Sequence, residues 1–281
     1  MMNEPPPAQS GRRFRLTRRG RLVLIVSAVV VIVATAVLVP LLLRQAKEEK
    51  ASLLIPEGWR ASQVYAAVDK ALEEQPGTTR KAVGTAKLTL PADARGNPEG
   101  YLFPATYPID DKTTPASLLS YMVNTANQRF GADRISSGAQ RGGVTVYQAV
   151  NIASIVQAEA DTPKDMGRVA RVIYNRLAKG MPLQMDSTLN YALNRSTLDT
   201  TAADTKIDSP YNSYERPGLP PTPIDNPGEQ AMHAAINPTP GNWLYFVTVA
   251  PGDTRFTAGY REHRRNVEQF NANRSSGGSG R

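Results

Sequence analysis

The stretch VTVYQAVNIASIVQAEADTPKDMGRVARVIYNRLAKG, residues 144–180, decides the fold. It reads as two helices whose ends are marked. Thr145 with Gln148 three positions on is a capping-box pattern. In such a box the hydroxyl and the amide each satisfy a backbone N–H that the helix itself cannot. Ala149, Ala153, Val156 and Ala160 then make a packing stripe. Thr162 opens the second helix, with Pro163 in the first helical position and Asp165 in the first turn. Val169, Val172, Ile173 and Leu177 are its core face, and Gly180 is its stop.

One carboxylate here carries a chemical reading. Gln148, Ile152, Ile155 and Glu159 are spaced by four, three and four residues, so they share one helix face. Glu159 lines up with two isoleucines and lies in the last turn. Desolvation and the negative end of the helix dipole both disfavour its charge. A glutamate so placed holds its proton and can serve as a general acid. Spacing alone leaves open a plain surface glutamate near a helix end. Gln157, two residues away, is expected to face roughly the opposite side.

Toward the C-terminus, residues 181–226 are proline-punctuated, polar and rich in tyrosine. A loop that long in a compact domain is usually functional. Its segments 180–193 and 209–224 place Gln184, Asp186, Tyr191, Tyr211, Asn212 and Tyr214 in irregular backbone. Amides and phenols suit sugar hydroxyls and acetamido groups, and a tyrosine face can stack on a pyranose ring. The plain alternative is a polar loop with tyrosines covering apolar edges. Residues 228–236 read as a short helix. Residues 243–249 and 254–258 read as paired strands about the Pro251-Gly252-Asp253 turn. A last helix is expected over 260–272, then a Gly/Ser tail.

Toward the N-terminus, 131–143 reads as loop and 115–129 as helix. Residues 98–109 are aromatic and broken by prolines, 91–98 is loop, and 88–90 is strand-like. Residues 75–81 read as loop. A helix carries Val64, Ala67, Val68 and Leu72 on one face, preceded by a short strand at 53–55. Residues 44–50 are a charged, short helical or flexible stretch.

The run 22–43 is 22 uncharged, almost wholly apolar residues. As a helix it can cross a hydrocarbon core of ~30 Å. Arg12, Arg13, Arg15, Arg18, Arg19 and Arg21 precede it. The positive-inside rule puts them in the cytoplasm and everything after about residue 45 outside the plasma membrane. The alternative, a cleaved signal peptide, is disfavoured by the length of the run and the lack of a small-residue cleavage site after it. Seven arginines against Glu4 give residues 1–44 a net +6, and the whole chain is +8, so the remainder carries only +2. The basic balance is a topology signal, not a nucleic-acid footprint. With no cysteine, a disulfide framework, a thiol nucleophile and a thiolate metal site are excluded. His233 and His263 are the only histidines, which argues against a histidine-rich zinc site.

Several motifs occur in order: IASIVQAEA (152–160), RVARVIYNRLAKGMPLQMDSTLNYAL (168–193), SPYNSYERPGLPPTPIDNPGEQAMHAAINP (209–238) and WLYFVTV (243–249), with PEGYLFPATY (98–107) before them. Together they resemble the catalytic domain of the endolytic murein lytic transglycosylases, the YceG-like or MltG family, from about residue 98 to 270. The resemblance implies cleavage of the β-1,4 bond between N-acetylmuramic acid and N-acetylglucosamine within peptidoglycan glycan strands, leaving a 1,6-anhydromuramic end. It puts the catalytic glutamate on Glu159. The motif's first acidic position is Gln157 here, so Glu159 is the only carboxylate in it. Asn175, Gln184, Asp186, Tyr211, Asn212, Tyr214 and the Gly218-Leu219-Pro220-Pro221 turn match motif positions and are assigned to the substrate cleft. No metal or cofactor is implied. Glycan strands are the implied partner, with penicillin-binding synthases as neighbours.

The expected fold is α+β. It comprises a basic cytoplasmic tail (1–21), a single membrane helix (22–43), a small α/β juxtamembrane subdomain holding at most part of a LysM-like region (44–97), the catalytic domain (98–273) and a flexible tail (274–281). Two other functions stay open on the sequence. One is a true glycoside hydrolase with Asp161 or Asp186 as second carboxylate. The other is a non-catalytic cell-wall assembly factor.

Overall fold

The computed structural model describes residues 18–19, 32–36, 38–39, 52–196 and 200–277. The chain divides into two units, residues 1–51 and 52–281. In the first, the described residues are helical and exposed. The expected membrane span 22–43 lies mostly outside the described residues, as does most of the basic tail. Among the described residues no helix is long and apolar enough to cross a membrane.

The second unit is mixed α+β. Its elements are β1 (Ser52–Leu54), α1 (Ala61–Ala71), α2 (Thr78–Ala82), β2 (Thr106–Pro108), α3 (Pro115–Phe130), α4 (Asp133–Arg141), α5 (Val146–Glu159), α6 (Pro163–Ala178), α7 (Asp186–Ala192), α8 (Glu229–Ile236), β3 (Tyr245–Ala250), β4 (Asp253–Thr257) and α9 (Tyr260–Gly277). The strands form two separate antiparallel pairs, β1 with β2 and β3 with β4.

Helix α5 is the centre of the core. Residues Ala149 through Val156 are all buried, so the helix is enclosed on nearly every side and not along one stripe only. Its capping box is formed: Gln148 N–H donates to Thr145 Oγ1 (3.1 Å) and Thr145 N–H to Gln148 Oε1 (2.9 Å). Helices α6 and α8 pack on α5. Helix α8 offers Ala231, Ala234 and Ala235, all buried, and these small side chains let the two backbones come close. Helix α6 starts as its sequence indicates, with Asp165 N–H donating to Thr162 Oγ1 at 3.2 Å.

The hairpin runs from Tyr245 opposite Thr257 to Thr248 opposite Thr254, with an irregularity before Ala250 pairs with Asp253. Helix α9 covers it. The strands are shifted by one or two residues from the sequence expectation. Helix α9 continues through 274–277, where a tail was expected, and 278–281 lie outside the described residues.

Four other expectations are corrected. Residues 131–143 are not a loop but contain α4. The segment looks polar and carries a central glycine, yet Ile135 and Ala139, one turn apart, are buried against α8. Gly138 is there because a β-carbon would stand 2.7 Å from Ile236 Cβ. Residues 88–90 pair with no strand; their N–H groups close tight local turns instead, Leu88 to Ala86 O (2.9 Å) and Leu90 to Leu88 O (3.0 Å). Residues 75–81 hold the start of α2, whose first turn is satisfied by Asp69: Thr79 N–H (2.7 Å) and Oγ1 (2.6 Å) and Gly77 N–H (2.6 Å) all donate to its carboxylate. Residues 181–226 are not one long loop, since they contain α7 and a short 3-10 turn at Asp204–Lys206.

The expected boundary between 44–97 and 98–273 does not appear as a division. Residues from Ser52 onward are one compact unit. The β1–β2 ladder crosses that line, and so does Asn226, whose Oδ1 accepts from Leu102 N–H (2.8 Å) while its Nδ2 donates to Trp59 O (2.7 Å). Gly100 sits with φ of +84° under Pro223, where a β-carbon would stand 2.6 Å from Pro223 Cβ. The PEGYLF segment is thereby locked beneath the 220–226 segment.

Candidate active site

Glu159 is the last residue of α5, and Ala160 after it turns to extended backbone. This exit puts the carboxyl at the floor of a cleft. Ser187, in the first turn of α7, holds it: Oγ donates to Glu159 Oε1 at 2.6 Å and its N–H to the same oxygen at 3.3 Å. The other oxygen, Oε2, has no hydrogen-bond partner among the described residues. Burial pushes the Glu159 carboxyl above the ordinary glutamate range; the Ser187 bonds oppose that and the Asp186 charge adds to it. The group is thus biased toward carrying a proton, with one oxygen anchored and one available.

Two concavities meet at Glu159 and Asp186. One, of about 570 Å³, is lined by Glu57, Arg60, Gln157, Asp225 and Ser187 among others. The other, of about 510 Å³, is lined by Arg176, Gln184, Tyr214, Tyr245, Tyr260 and His263. Glu159 and Asp186 are therefore lined by open space on two sides.

The backbone around the carboxyl is fixed by a buried arginine and a serine. Arg176 donates to Leu244 O (2.6 Å), Leu183 O (2.7 Å), Pro182 O (3.1 Å) and Gln184 Oε1 (3.1 Å), joining α6, the 182–184 segment and the entry to β3. Ser213 receives Met185 N–H on Oγ (3.0 Å) and Gln184 N–H on its carbonyl (2.8 Å), so the 209–216 loop clasps the start of α7. Tyr214 OH then donates to Asp186 Oδ1 at 2.5 Å.

Of the residues singled out from sequence, Gln184, Asp186 and Tyr214 line the cleft beside Glu159. Three others are taken up by the protein's own backbone. Asn175 Nδ2 donates to Trp243 O (2.8 Å) and Gly241 O (3.2 Å), tying α6 to the approach to β3. Asn212 is buried, with Nδ2 on Thr205 O and Ile207 O and Oδ1 on Tyr214 N–H. Tyr211 OH meets Thr222 Oγ1 at 2.8 Å, and its ring lies 4.8 Å from that of Tyr191. None of the three lines either concavity at Glu159. The Gly218–Pro221 turn lines a different depression, beside Tyr147 and Asn151. Gln157 is also placed otherwise than expected. It shares the polar concavity with Glu159, because both stand at the end of α5, and its Oε1 accepts from Gly228 N–H (3.0 Å). Asp161 is exposed and outside the cleft.

Besides Arg176, Tyr245, Tyr260 and His263 in the second concavity, sequence reasoning missed Ser187, Glu57, Arg60 and Asp225. Ser187 was findable, as the residue after Asp186 at the opening of a short helix. The other three depend on the packing of residues 57–60 over 224–226, which no local pattern announces.

Comparison with known proteins gives the family. The model of the YceG-like family matches residues 34–269. The chain belongs to the YceG-like family. It is 37% identical over 173 residues to the endolytic murein transglycosylase of Bacillus subtilis, covering 61% of this chain and 48% of that protein. It is 38% identical over 182 residues to the protein of the same name from Streptococcus pneumoniae, covering 63% and 33%. The chain thus spans about half of the first relative's length and a third of the second's. The crystal structure of a yceG-like protein from Listeria monocytogenes superposes with a TM-score of 0.66 at 30% identity, covering 77% of this chain and 75% of that one.

Proposed function

We propose that the protein is a membrane-anchored endolytic lytic transglycosylase of peptidoglycan, with Glu159 as its acid and base. The observation that carries this reading is the state of Glu159: one carboxyl, raised in pKa by burial, anchored through Oε1 and open at Oε2 in the middle of a two-sided cleft. Family membership and the names of the relatives support it.

The chemistry then needs one carboxyl. Glu159 gives its proton to the glycosidic oxygen as the C1–O4 bond breaks. Asp186, held by Tyr214, faces the positive charge that develops on the sugar. The Glu159 carboxylate next takes the proton of the sugar's own C6 hydroxyl, and O6 closes on C1. Glu159 ends protonated, and no water is consumed. A hydrolase would instead use a second carboxylate to activate water or attack C1. Asp186, which lines both concavities with Glu159, is the candidate for such a role, and Asp161, which lines neither, is not.

Anchoring by the 22–43 run, with the catalytic unit outside the plasma membrane and beside penicillin-binding synthases, belongs to the same proposal. Its support is the arginine cluster before the apolar run. Two experiments test the whole. Full chain in detergent should release soluble fragments from purified glycan strands, and a reporter fused after Arg281 should be active only outside the membrane. No release rejects the activity, and a cytoplasmic reporter rejects the topology.

A further inference from the structure

The polar concavity holds a carboxyl that the chemistry above does not use. Asp225 lines it together with Glu159 and Gln157, yet is only 4% exposed. Its Oδ1 is closed off from solvent without a hydrogen-bond partner, and neither oxygen accepts a bond among the described residues. This is not a loose side chain on a loose loop. On one side Ile224 N–H is held by Ser154 Oγ of α5 (3.0 Å). On the other, Asn226 is held by Trp59 and Leu102, and its carbonyl accepts from Gly58 N–H (2.9 Å). Asp225 is therefore fixed in the cleft wall with its hydrogen-bonding capacity unspent. Buried polar groups are rarely left so unless something else meets them.

The groups around it disfavour its ionised form. Behind it is a second buried carboxyl, Glu99, which accepts from Ala61 N–H (2.8 Å) and Tyr191 OH (3.0 Å). Among the described residues Arg60 is the one cation of the concavity's lining, and it is already engaged, donating to Arg195 O at 2.8 Å and lying 5.3 Å from the Tyr191 ring centre. On the cleft side stand Glu57, Glu159 and Asp186, all acids. A buried carboxylate among acids, with a shared arginine, is strongly disfavoured.

We propose that Asp225 is a specificity-determining residue of the cleft, whose neutral carboxyl donates a hydrogen bond to the acetamido carbonyl of an N-acetylated sugar bound beside Glu159. An anionic substituent is repelled there by Glu57 and Asp186, so a neutral acceptor is what the wall can hold. Burial first, and the Glu99 charge second, push the Asp225 carboxyl well above the ordinary aspartate range, with Arg60 opposing. This inference rests on the glycan-cleaving reading of the cleft, and its test separates the two.

The probe is an oligomer of N-acetylglucosamine, which has no titratable group. Its binding is measured calorimetrically to full-length Glu159→Gln chain in detergent, which cannot turn it over and removes the titration of that residue. Affinity should fall as pH rises through the Asp225 ionisation. Adding Asp225→Asn keeps a neutral donor, so affinity should hold and its pH dependence should flatten. Adding Asp225→Ala should cost roughly tenfold at low pH, the value of one lost hydrogen bond in a closed site. Adding Glu99→Gln removes the charge behind Asp225 and should move the pH midpoint down. Asp225→Ala binding as tightly as its parent, or Asp225→Asn failing as Asp225→Ala does, overturns the inference and leaves the glycan-binding reading standing. Failure of the Glu159→Gln chain to bind the oligomer at any pH overturns that reading as well.

Discussion

The two sides of the cleft at Glu159 are built from different material. One side is polar: Glu57, Arg60, Gln157, Ser187 and Asp225, drawn from four separate stretches of chain. The other is richer in rings, with Tyr214, Tyr245, Phe246, Tyr260 and Phe270 drawn mostly from the hairpin and the last helix, and it also presents Arg176, Gln184 and His263. Hydrogen-bonding groups can distinguish sugar substituents, whereas ring faces hold a pyranose without reading them. The difference is that no aromatic ring is among the described lining residues of the first side, and only Glu159 and Asp186 belong to both. Under the proposed function the first side then reads sugar substituents and the rings of the second add hold on the sugar.

The largest effect should come where the sides meet. Glu159→Gln retains shape but cannot donate a proton, and general acid–base catalysis is commonly worth 10²–10⁴-fold. Release of glycan fragments should fall by at least about that order while thermal unfolding stays near parental. Asp186→Asn should cost only roughly tenfold, since the uncharged amide still bonds Tyr214 but no longer stabilises the cationic sugar. An equal collapse in both variants would break the single-carboxyl account and favour two.

Behind the polar side, Glu99 should govern stability. Burial pushes its carboxyl up to about 7, against the bonds from Ala61 and Tyr191 and the Arg60 charge that lower it. The unfolded chain ionises near 4.5, so between about pH 4.5 and 7 the unfolded state binds fewer protons than the folded one. Folding stability should therefore be full below that window and fall across it, by about 3 kcal/mol. Glu99→Gln should flatten this slope in chemical denaturation series taken at several pH values. An unchanged slope would remove Glu99 from the account of the polar side.

On the aromatic side, Tyr260 is 64% exposed at the start of α9, so its loss should not unfold the protein. Tyr260→Ala should raise KM roughly 3- to 10-fold with kcat little changed, and Tyr260→Phe should stay near parental. A kcat effect without a KM effect would contradict a gripping role. The smallest effect is a shift and not a loss. Ser187 lowers the pKa of Glu159 through its two bonds, so Ser187→Ala should raise it further. The acid then survives to higher pH, and the alkaline limb of the kcat profile should move upward. A downward move would mean that Ser187 does not act through this carboxyl.

The core helices and the hairpin were legible in the sequence as elements, whereas of the rings on the ring-bearing side only Tyr214 was singled out and of the polar side's site residues only Glu159 and Asp186, which both sides share. Thr145 with Gln148, and Thr162 with Pro163 and Asp165, mark α5 and α6 because caps are local chemistry. The hairpin about Pro251-Gly252 is legible for the same reason. Glu159 stood out because its stripe with Ile152 and Ile155 is a local fact too. Helix α4 was hidden because Gly138 answers to Ile236, almost a hundred residues away. Asn175, Tyr211 and Asn212 have the right chemistry for sugars, but tertiary structure directs their polar groups to carbonyls and a threonine. Asp225 follows an unremarkable Pro-Ile pair and becomes significant only when Trp59 and Ser154 close around it.

One carboxyl, and no water, completes the proposed reaction. The most direct measurement is the mass of the fragments that the parent chain releases from purified glycan strands. Ring closure by the sugar's own C6 hydroxyl predicts new muramic ends one water lighter than reducing ends, with no reducing ends formed at early times. New reducing ends from the outset would contradict the account and move Asp186 from electrostatic support to the second carboxylate of a hydrolase.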